Sequence, residues 1–510
     1  MPELLLGIDV GTSAVKSGIF DLEGRLLGIG RSAYRTSAPR PGWAECDAEL
    51  WWRSFAASLQ EACDKAGIKP DRIAAVGLGV LYPAVVPLDE NARALAPAIL
   101  YCDQRSIEQV RWIESKIPRE RYQAIVGNNL VPGTCAVTSM LWLRDERPEA
   151  YSSARAFGFA NTFMTARLTG EFAVDPSMAA LSGLTDIKDP WQWSNSLCES
   201  LGVEPTKLPR IAGAGEVIGQ VTRAAAGQTG LKAGTPVVCG CGDVQASALG
   251  AGAISTGTVV YIAGSTDCVS VPMDRPTQDR RWVNCAYVPR DLWMGIGTTS
   301  SSGLSVEWFV REVLGQSGSK GLDEMTKLAA SSPPGGNRLL YLPYLQGERT
   351  PVWDPLARGL FIGLTSATTR ADLARAVLEG TSFALRQVIE CLESVIGRDV
   401  SEIRAVGGGT ANELWNRMKA AMLKKELHVL KFQETGSLGA ALLAGLGAGH
   451  YDSFADAAAV ARSVGGERTV EPDPEWTGIY DELFAVYAKL YPQTRDIGHA
   501  LAEESSKLKA

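Results

Sequence analysis

Asp9 ends an apolar strand and opens a glycine turn in Leu4-Leu5-Leu6-Gly7-Ile8-Asp9-Val10-Gly11-Thr12-Ser13. A second strand, Val15–Asp21, follows at once, so the segment reads as a hairpin whose turn can hold phosphate. Gly11 lets the backbone approach an anion closely and point successive N–H groups at it. Thr12 and Ser13 add hydroxyl donors, and Asp9 stands where a hydrated Mg²⁺ could bridge to the phosphates. A rhyming turn, Gly264-Ser265-Thr266, ends the apolar stretch that begins at Tyr261. Either turn alone is ordinary β-turn composition. The pair suggests a duplicated fold serving one nucleotide.

A third chemical element is Asp243. The run Val237-Val238-Cys239-Gly240-Cys241-Gly242-Asp243 is a buried strand that ends in glycines and an acid. A carboxylate delivered there is well placed as a general base. It could equally cap the helix suggested by Val244–Leu249, since Asp is a preferred cap. Both readings stand on spacing alone. Gly407-Gly408-Gly409 follows a short strand and precedes a helix, offering a flat glycine surface for an adenine ring or its ribose. It lacks the GxGxxG spacing of a dinucleotide fingerprint, and no Gly-Lys-Ser/Thr occurs in the chain, which excludes a Walker-type phosphate loop.

The elements that must position these residues alternate. Glu23-Gly24 turns the chain into a third strand over Arg25–Ile29. Asp47 is a candidate N-cap for a helix whose apolar side runs through Trp51, Phe55, Leu59 and Ala62. Ile73–Leu78 and Val85–Leu88 return as strands. Around Gly240–Gly252 the chain becomes rich in Gly, Ala and Ser, and a fresh strand-turn-strand follows. The boundary between halves is therefore expected near residue 250, with Gly250-Ala251-Gly252 as a hinge on which the halves close. In the second half, Arg370–Val395 carries apolar residues at helical spacing behind a Thr369 cap. The pattern is α/β.

Composition sets limits. The chain has 510 residues, 45% hydrophobic and 21% charged, which is enough for two domains with sizeable cores. A net charge of -7 offers no basic footprint, so nucleic acid is not an expected partner. Ten cysteines lie without regular spacing, and Cys239 and Cys241 read as buried thiols. Met1-Pro2-Glu3 lacks the basic start of a signal peptide, and the most apolar window, Ile73–Leu88, is interrupted by Pro83 and Pro87. These features indicate a reduced, cytoplasmic protein away from membranes. The three histidines, His428, His450 and His499, read as surface residues, and catalysis must rest on carboxylates, hydroxyls, amides and a hard cation. The charged end, Glu503–Ala510, is expected to fray.

Asp9-x-Gly11-Thr12-Ser13, Gly242-Asp243, Gly264-Ser265-Thr266 and Gly407-Gly408-Gly409 come in the order found in the FGGY family of carbohydrate kinases, which the chain resembles from residue 4 to about 449. Pro343–Pro351, with Gly347-Glu348-Arg349-Thr350-Pro351, is similar to that family's conserved loop. Gly359–Leu364 with Asp372–Glu379 fits its C-terminal pattern at every specified position. The resemblance implies two actin-like, ribonuclease H-like domains around a central nucleotide and sugar cleft, spanning 1–249 and 250–490 with a tail over 491–510. It implies ATP and Mg²⁺, Asp243 as the catalytic aspartate, Asp9 on the metal and the Gly264–Thr266 turn on the phosphates. It also leaves a homodimer as the expected assembly.

The sugar is expected to be a ketopentose such as D-xylulose, read through Tyr82, Asp103, Arg105 and Asp243. A polyol, gluconate or another ketose is the alternative. The family's xylulose kinases carry Gln-Met-His-Gly where this chain has Leu81-Tyr82-Pro83-Ala84, and Val244 stands for the asparagine usual after the catalytic aspartate. Ser139 replaces a patterned lysine, while Arg417 and Ala421 depart from the family at positions expected on the domain surface. A non-catalytic ATP-binding protein of the actin and Hsp70 type is the rival from another class, but it lacks the 359–379 pattern.

Overall fold

In chain order, the elements that carry the site begin with strands β1 (Leu4–Val10), β2 (Ala14–Phe20) and β3 (Leu26–Ala33) and helix α1 (Ala48–Ala66). Strands β4 (Ile73–Val80), β5 (Pro236–Val238) and β6 (Cys241–Gly242) and helix α2 (Asp243–Gly250) follow. Next come strands β7 (Thr258–Ala263), β8 (Asp267–Met273) and β9 (Trp293–Thr298), helix α3 (Arg370–Ile396), strand β10 (Glu402–Val406) and helix α4 (Glu413–Leu423). Strand β11 (Leu427–Leu430), helix α5 (Thr435–Gly447), strand β12 (Glu467–Val470) and helix α6 (Pro474–Lys507) complete the set. The computed structural model describes residues 3–507.

The chain divides into two compact units that are not continuous in sequence. The first takes the chain to Thr256, then Pro272–Gly295 and Glu434–Val464; the second takes Gly257–Val271, Ile296–Gln433 and the chain from Gly465 on. The first unit's sheet has the order β5-β4-β1-β2-β3, with β6 also on β4. β1 is antiparallel to β2 and parallel to β4. The second unit repeats the arrangement as β9-β8-β7-β10-β11, with β12 beyond. β7 is antiparallel to β8 and parallel to β10. Each unit is thus a hairpin-led mixed sheet, duplicated as the rhyming turns suggested and of the ribonuclease H-like kind that the resemblance implied.

Local chemistry accounts for the helices. Asp47 caps α1 by accepting from the Glu49 N–H, and Trp51, Phe55, Leu59 and Ala62 are buried along one side. Thr369 and Asp372 form a reciprocal capping box at the start of α3, satisfying two orphan donors. Buried Arg375 of α3 is held by Glu379 at 2.6 Å, by the Ser332 carbonyl and by the Tyr480 hydroxyl of α6.

Helix α5 matters most to the site. It returns to the first unit late in the chain and lies against β1 and β4 on one side and α2 on the other, made possible by a glycine at each close contact. A Cβ on Gly7 would overlap the Ser437 carbonyl oxygen, and one on Gly77 that of Ala440. On the other side, a Cβ on Gly439 would overlap the Ala246 carbonyl, and one on Gly250 that of Thr435. The obstacles are all backbone atoms, which cannot rotate away.

Several expectations need correction. The spatial units interleave, because two later segments return to the first unit. The supposed hinge is pinned inside that unit: Gly250 meets Thr435 of α5, and the Gly252 carbonyl accepts from Arg462 Nε at 3.0 Å. The 491–510 segment, read as a tail, is helical within α6 through Lys507, and residues 508–510 lie outside the described residues. Ala421 is fully buried, whereas Arg417 is exposed and pairs with Asp473. The histidines are half-buried beside carboxylates: His428 with Glu467, His450 with Glu3 and His499 with Asp354. Cys239 and Cys241 are buried free thiols. Among the described residues no helix is long and apolar enough to cross a membrane.

The α5 seating predicts that Gly439→Ala will destabilise the protein by about 3 kcal/mol, the upper end for overpacking, because the added methyl meets a carbonyl. Denaturant unfolding measures this; unchanged stability would show that α2 and α5 do not meet at Gly439.

Candidate active site

Three parallel strands of the first unit end together. Val10 of β1 and Gly242 of β6 both register with Val80 of β4. Ligands in open α/β sheets gather at the carboxyl ends of such strands. Asp9, Tyr82 and Asp243 come from these three ends, so the structure brings them together. Asp9 on β1 and Asp243 just past β6 flank β4 on its two sides, so strand spacing separates their backbones by roughly 10 Å.

Asp243 is the first residue of α2, and Gly242 holds the cap position. Its carboxylate accepts from the Val244 N–H at 2.8 Å. The capping alternative is thereby set aside. Although the residue is only half-buried, its carboxyl is held away from water, and burial raises its pKa to about 7, with the Asp9 charge adding to the shift. Asp9 is raised to about 6, chiefly by burial; Lys16 opposes the shift and Glu434 adds to it. Lys16 itself is bonded to Glu434 at 2.8 Å. Gly436 of α5 sits against Asp9, where a Cβ would stand 3.1 Å from Oδ2.

The hairpin turn beside Asp9 is anchored from below and open above. The Gly11 N–H donates to the Ala14 carbonyl at 3.0 Å, and the Tyr34 hydroxyl donates to the Gly11 carbonyl. Thr12 and Ser13 are exposed. Tyr82 lies over Gly242, where a Cβ would overlap its ring, and its hydroxyl donates to Gln245 Oε1. Gln245 in turn donates to Cys285 Sγ at 2.9 Å. The Tyr82 hydroxyl is therefore engaged by the protein, leaving its ring to shape the site.

Asp103 and Arg105 are placed otherwise than expected. Asp103 is fully buried; Oδ1 accepts from the Arg105 N–H and Nε, and Oδ2 from the Ala44 N–H and from Arg105. The Arg105 guanidinium also bonds Glu45 and stacks 3.6 Å from the Trp43 ring centre. With every acceptor position of Asp103 filled, the pair clamps the 43–45 segment.

The second unit gathers the other two turns. β7 and β10 are parallel neighbours, so Gly264-Ser265-Thr266 and Gly407-Gly408-Gly409 leave adjacent carboxyl ends. The Gly264 N–H donates to the Thr266 carbonyl at 3.1 Å, and the Ser265 carbonyl accepts from the Ser302 and Leu304 N–H groups. Gly407 needs to be glycine: its φ is +98°, and a Cβ would stand 2.5 Å from the Ala263 carbonyl. Gly408 is exposed, with nothing within 4 Å of a Cβ.

Sequence reasoning missed Gln245, Gly303 and the local role of Glu348. A Cβ on Gly303 would stand 2.5 Å from the Gly264 carbonyl, so the serine-rich run before it is the only signal that could have revealed this contact. Glu348 is buried and accepts from the Ser300 and Arg349 N–H groups at 2.6 and 2.7 Å. Burial raises it to about 8.

Residues 4–250 match the N-terminal domain, and residues 259–448 the C-terminal domain, of the FGGY family of carbohydrate kinases. The chain belongs to the FGGY family, and it is a carbohydrate kinase with that family's two-domain fold. It is 27% identical over 98% of both chains to a xylulose kinase of Bacillus subtilis. It is 30% identical to an L-xylulose/3-keto-L-gulonate kinase of Escherichia coli, covering 96% of this chain and 97% of that one. The structure of a xylulose kinase from Rhodospirillum rubrum superposes with a TM-score of 0.89 at 28% identity, over 98% of this chain and all of that one.

Burial raises the carboxyls of Asp9, Asp175 and Asp243 to about 6, 6 and 7 and that of Glu348 to about 8, and shifts Asp267 and Glu379 in the same direction. The folded state then binds more protons than the unfolded chain between about pH 4.5 and 8, so stability falls as pH rises through that window. Thermal unfolding from pH 5 to 8 should show Tm decreasing, and Glu348→Gln should flatten the slope. A Tm that rises over this range would contradict the buried carboxyls.

Proposed function

We propose that this kinase transfers the γ-phosphoryl group of ATP to a hydroxyl of a ketopentose, D-xylulose being the first candidate, with Asp243 as the general base. The observation that supports it most is Asp243 itself: a carboxyl at a strand end whose pKa stands near neutrality beside a second acid. A sugar hydroxyl is a weak nucleophile, and a base poised near the working pH takes its proton most effectively. The proton leaves the hydroxyl for the Asp243 carboxylate as the oxygen–phosphorus bond forms and the bond to the leaving diphosphate breaks.

Gly11-Thr12-Ser13 and Gly264-Ser265-Thr266 offer amides and hydroxyls to the phosphates, and Gly407-Gly408-Gly409 offers an open face to the nucleoside. Asp9 suits Mg²⁺: its carboxyl is pushed up by burial and by Glu434, so a cation there relieves both. Among the described residues no group of three or more His, Cys, Asp and Glu could hold a metal, which fits a cation held by one or two carboxylates together with phosphate oxygens. Mg²⁺ carried with ATP would neutralise phosphate charge there.

The sugar is assigned from the similar xylulose kinases, and Tyr82 qualifies it. Because the Tyr82 hydroxyl is tied to Gln245, it presents an apolar ring edge to the acceptor, so the pentulose relies on Asp243 and backbone groups for hydrogen bonds. A coupled ADP-release assay across D-xylulose, L-xylulose, gluconate and glycerol tests the assignment, and turnover confined to gluconate or glycerol would reject it. Asp243→Asn should retain ADP and sugar binding while kcat falls roughly 10²–10⁴-fold. Near-wild-type turnover in that variant would remove Asp243 from the mechanism.

A further inference from the structure

A fully buried lysine lies beneath the two glycine turns of the second unit, and the mechanism above makes no use of it. Lys419, on α4, has no hydrogen-bond acceptor for Nζ among the described residues. Its ammonium stands 3.7 Å from the centre of the Trp415 ring and 5.1 Å from that of Tyr261. Burial pulls it down to about 8 while the Asp267 charge pulls it back up, so at neutral pH it stays largely protonated.

Its neighbours lead to both turns. Tyr261 lies in the strand that ends at Ala263, and its hydroxyl donates to Asp267 at 2.9 Å. Asp267 directly follows Thr266 and is buried; burial raises its pKa, while the Lys419 charge, Ser302 and Tyr261 lower it. Asp267 also exchanges hydrogen bonds with Thr299 at 3.0 Å, and the Ser302 N–H holds the Ser265 carbonyl at 3.0 Å. On the other side, the Trp415 ring would lie 3.3 Å from a Cβ on Gly409, and Asn416 donates to the Thr410 carbonyl at 2.7 Å.

A buried ammonium without a hydrogen-bonded acceptor is costly, so a lysine fills this space less favourably than an apolar side chain would. Stability alone does not account for Lys419. We propose that Lys419 is a positioning residue for the nucleotide, holding the Gly264–Thr266 and Gly407–Gly409 turns in one arrangement through Asp267, Tyr261 and Trp415. Attraction to the carboxylate and to the two ring faces fixes groups that flank each turn, and a methionine supplies neither charge nor cation–π attraction.

The proposal rests on the reading that these turns receive ATP, and the test separates the two. ADP binding is measured by calorimetry on the whole protein, with Tm and D-xylulose affinity as companions. Lys419→Met should leave sugar affinity unchanged and weaken ADP binding about tenfold, and any Tm lost by leaving Asp267 buried and unpaired should be recovered in the Asp267→Asn background. Asp267→Asn should weaken ADP similarly, and the double variant should be no worse than either single one, because both act through one pair. Gly408→Asp, which has open space around it, places a negative charge on the turn and should abolish ADP binding. If Gly408→Asp does so while Lys419→Met binds ADP like the wild type, the Lys419 proposal fails and the nucleotide reading survives. If Gly408→Asp also has no effect, both fail. Loss of Tm, sugar affinity and ADP affinity together in Lys419→Met would assign Lys419 to general stability and overturn the proposal.

Discussion

The close seating of α5 on glycine governs the geometry of the first unit. Backbone-to-backbone contact at Gly7, Gly77, Gly439 and Gly250 sets the distance between the sheet and α2 more tightly than interdigitating side chains could. Asp9 sits at the end of the strand pressed against α5, and Asp243 begins the helix pressed against its other side. The same helix brings Gly436 against the Asp9 carboxyl and Glu434 onto Lys16. One helix, supplied from residue 435 onward, thereby sets the spacing and the electrostatic environment of two acids more than 180 residues apart from it in the chain. Their raised pKa values follow from that enclosure.

The duplication has a chemical consequence. Each unit places its chemically useful turns at the carboxyl ends of parallel strands, after an antiparallel hairpin. The first unit fills those positions with acids and an aromatic ring, the second with glycines and hydroxyls. One topology thus presents different side chains at corresponding strand ends. Fold alone would not distinguish the chemistry of the two units; the side chains at the strand ends do.

Much of this was legible in the chain. The hairpin around Gly11, the α1 pattern behind Asp47 and the α3 pattern behind Thr369 are local, and local capping and periodicity reveal them. Asp243 at a strand end was legible because glycine and an acid follow a β-branched run. The interleaved units were not, because the return of α5 to the first sheet is a long-range contact between small residues that carry no charge or motif. The partners of Asp103 and Arg105 were not legible for a related reason: only the fold brings Ala44, Glu45 and Trp43 against these two charged residues. The engagement of Tyr82 by Gln245 was not legible, because it depends on a residue more than 160 positions away. Lys419 carries no sequence signal, and only its burial in the fold marks it.

The central claim is that enclosure beside Asp9 poises Asp243 near neutrality as a base. Carbon-13 NMR of aspartate carboxyls, with the Asp243 signal identified by its loss in Asp243→Asn, measures this directly in the protein free of ligands. The account predicts a midpoint near 7 for Asp243 in the wild type and a lower one in Asp9→Asn, where the neighbouring charge is gone. An Asp243 midpoint near that of an ordinary aspartate, about 4, or one that does not move in Asp9→Asn, would contradict it.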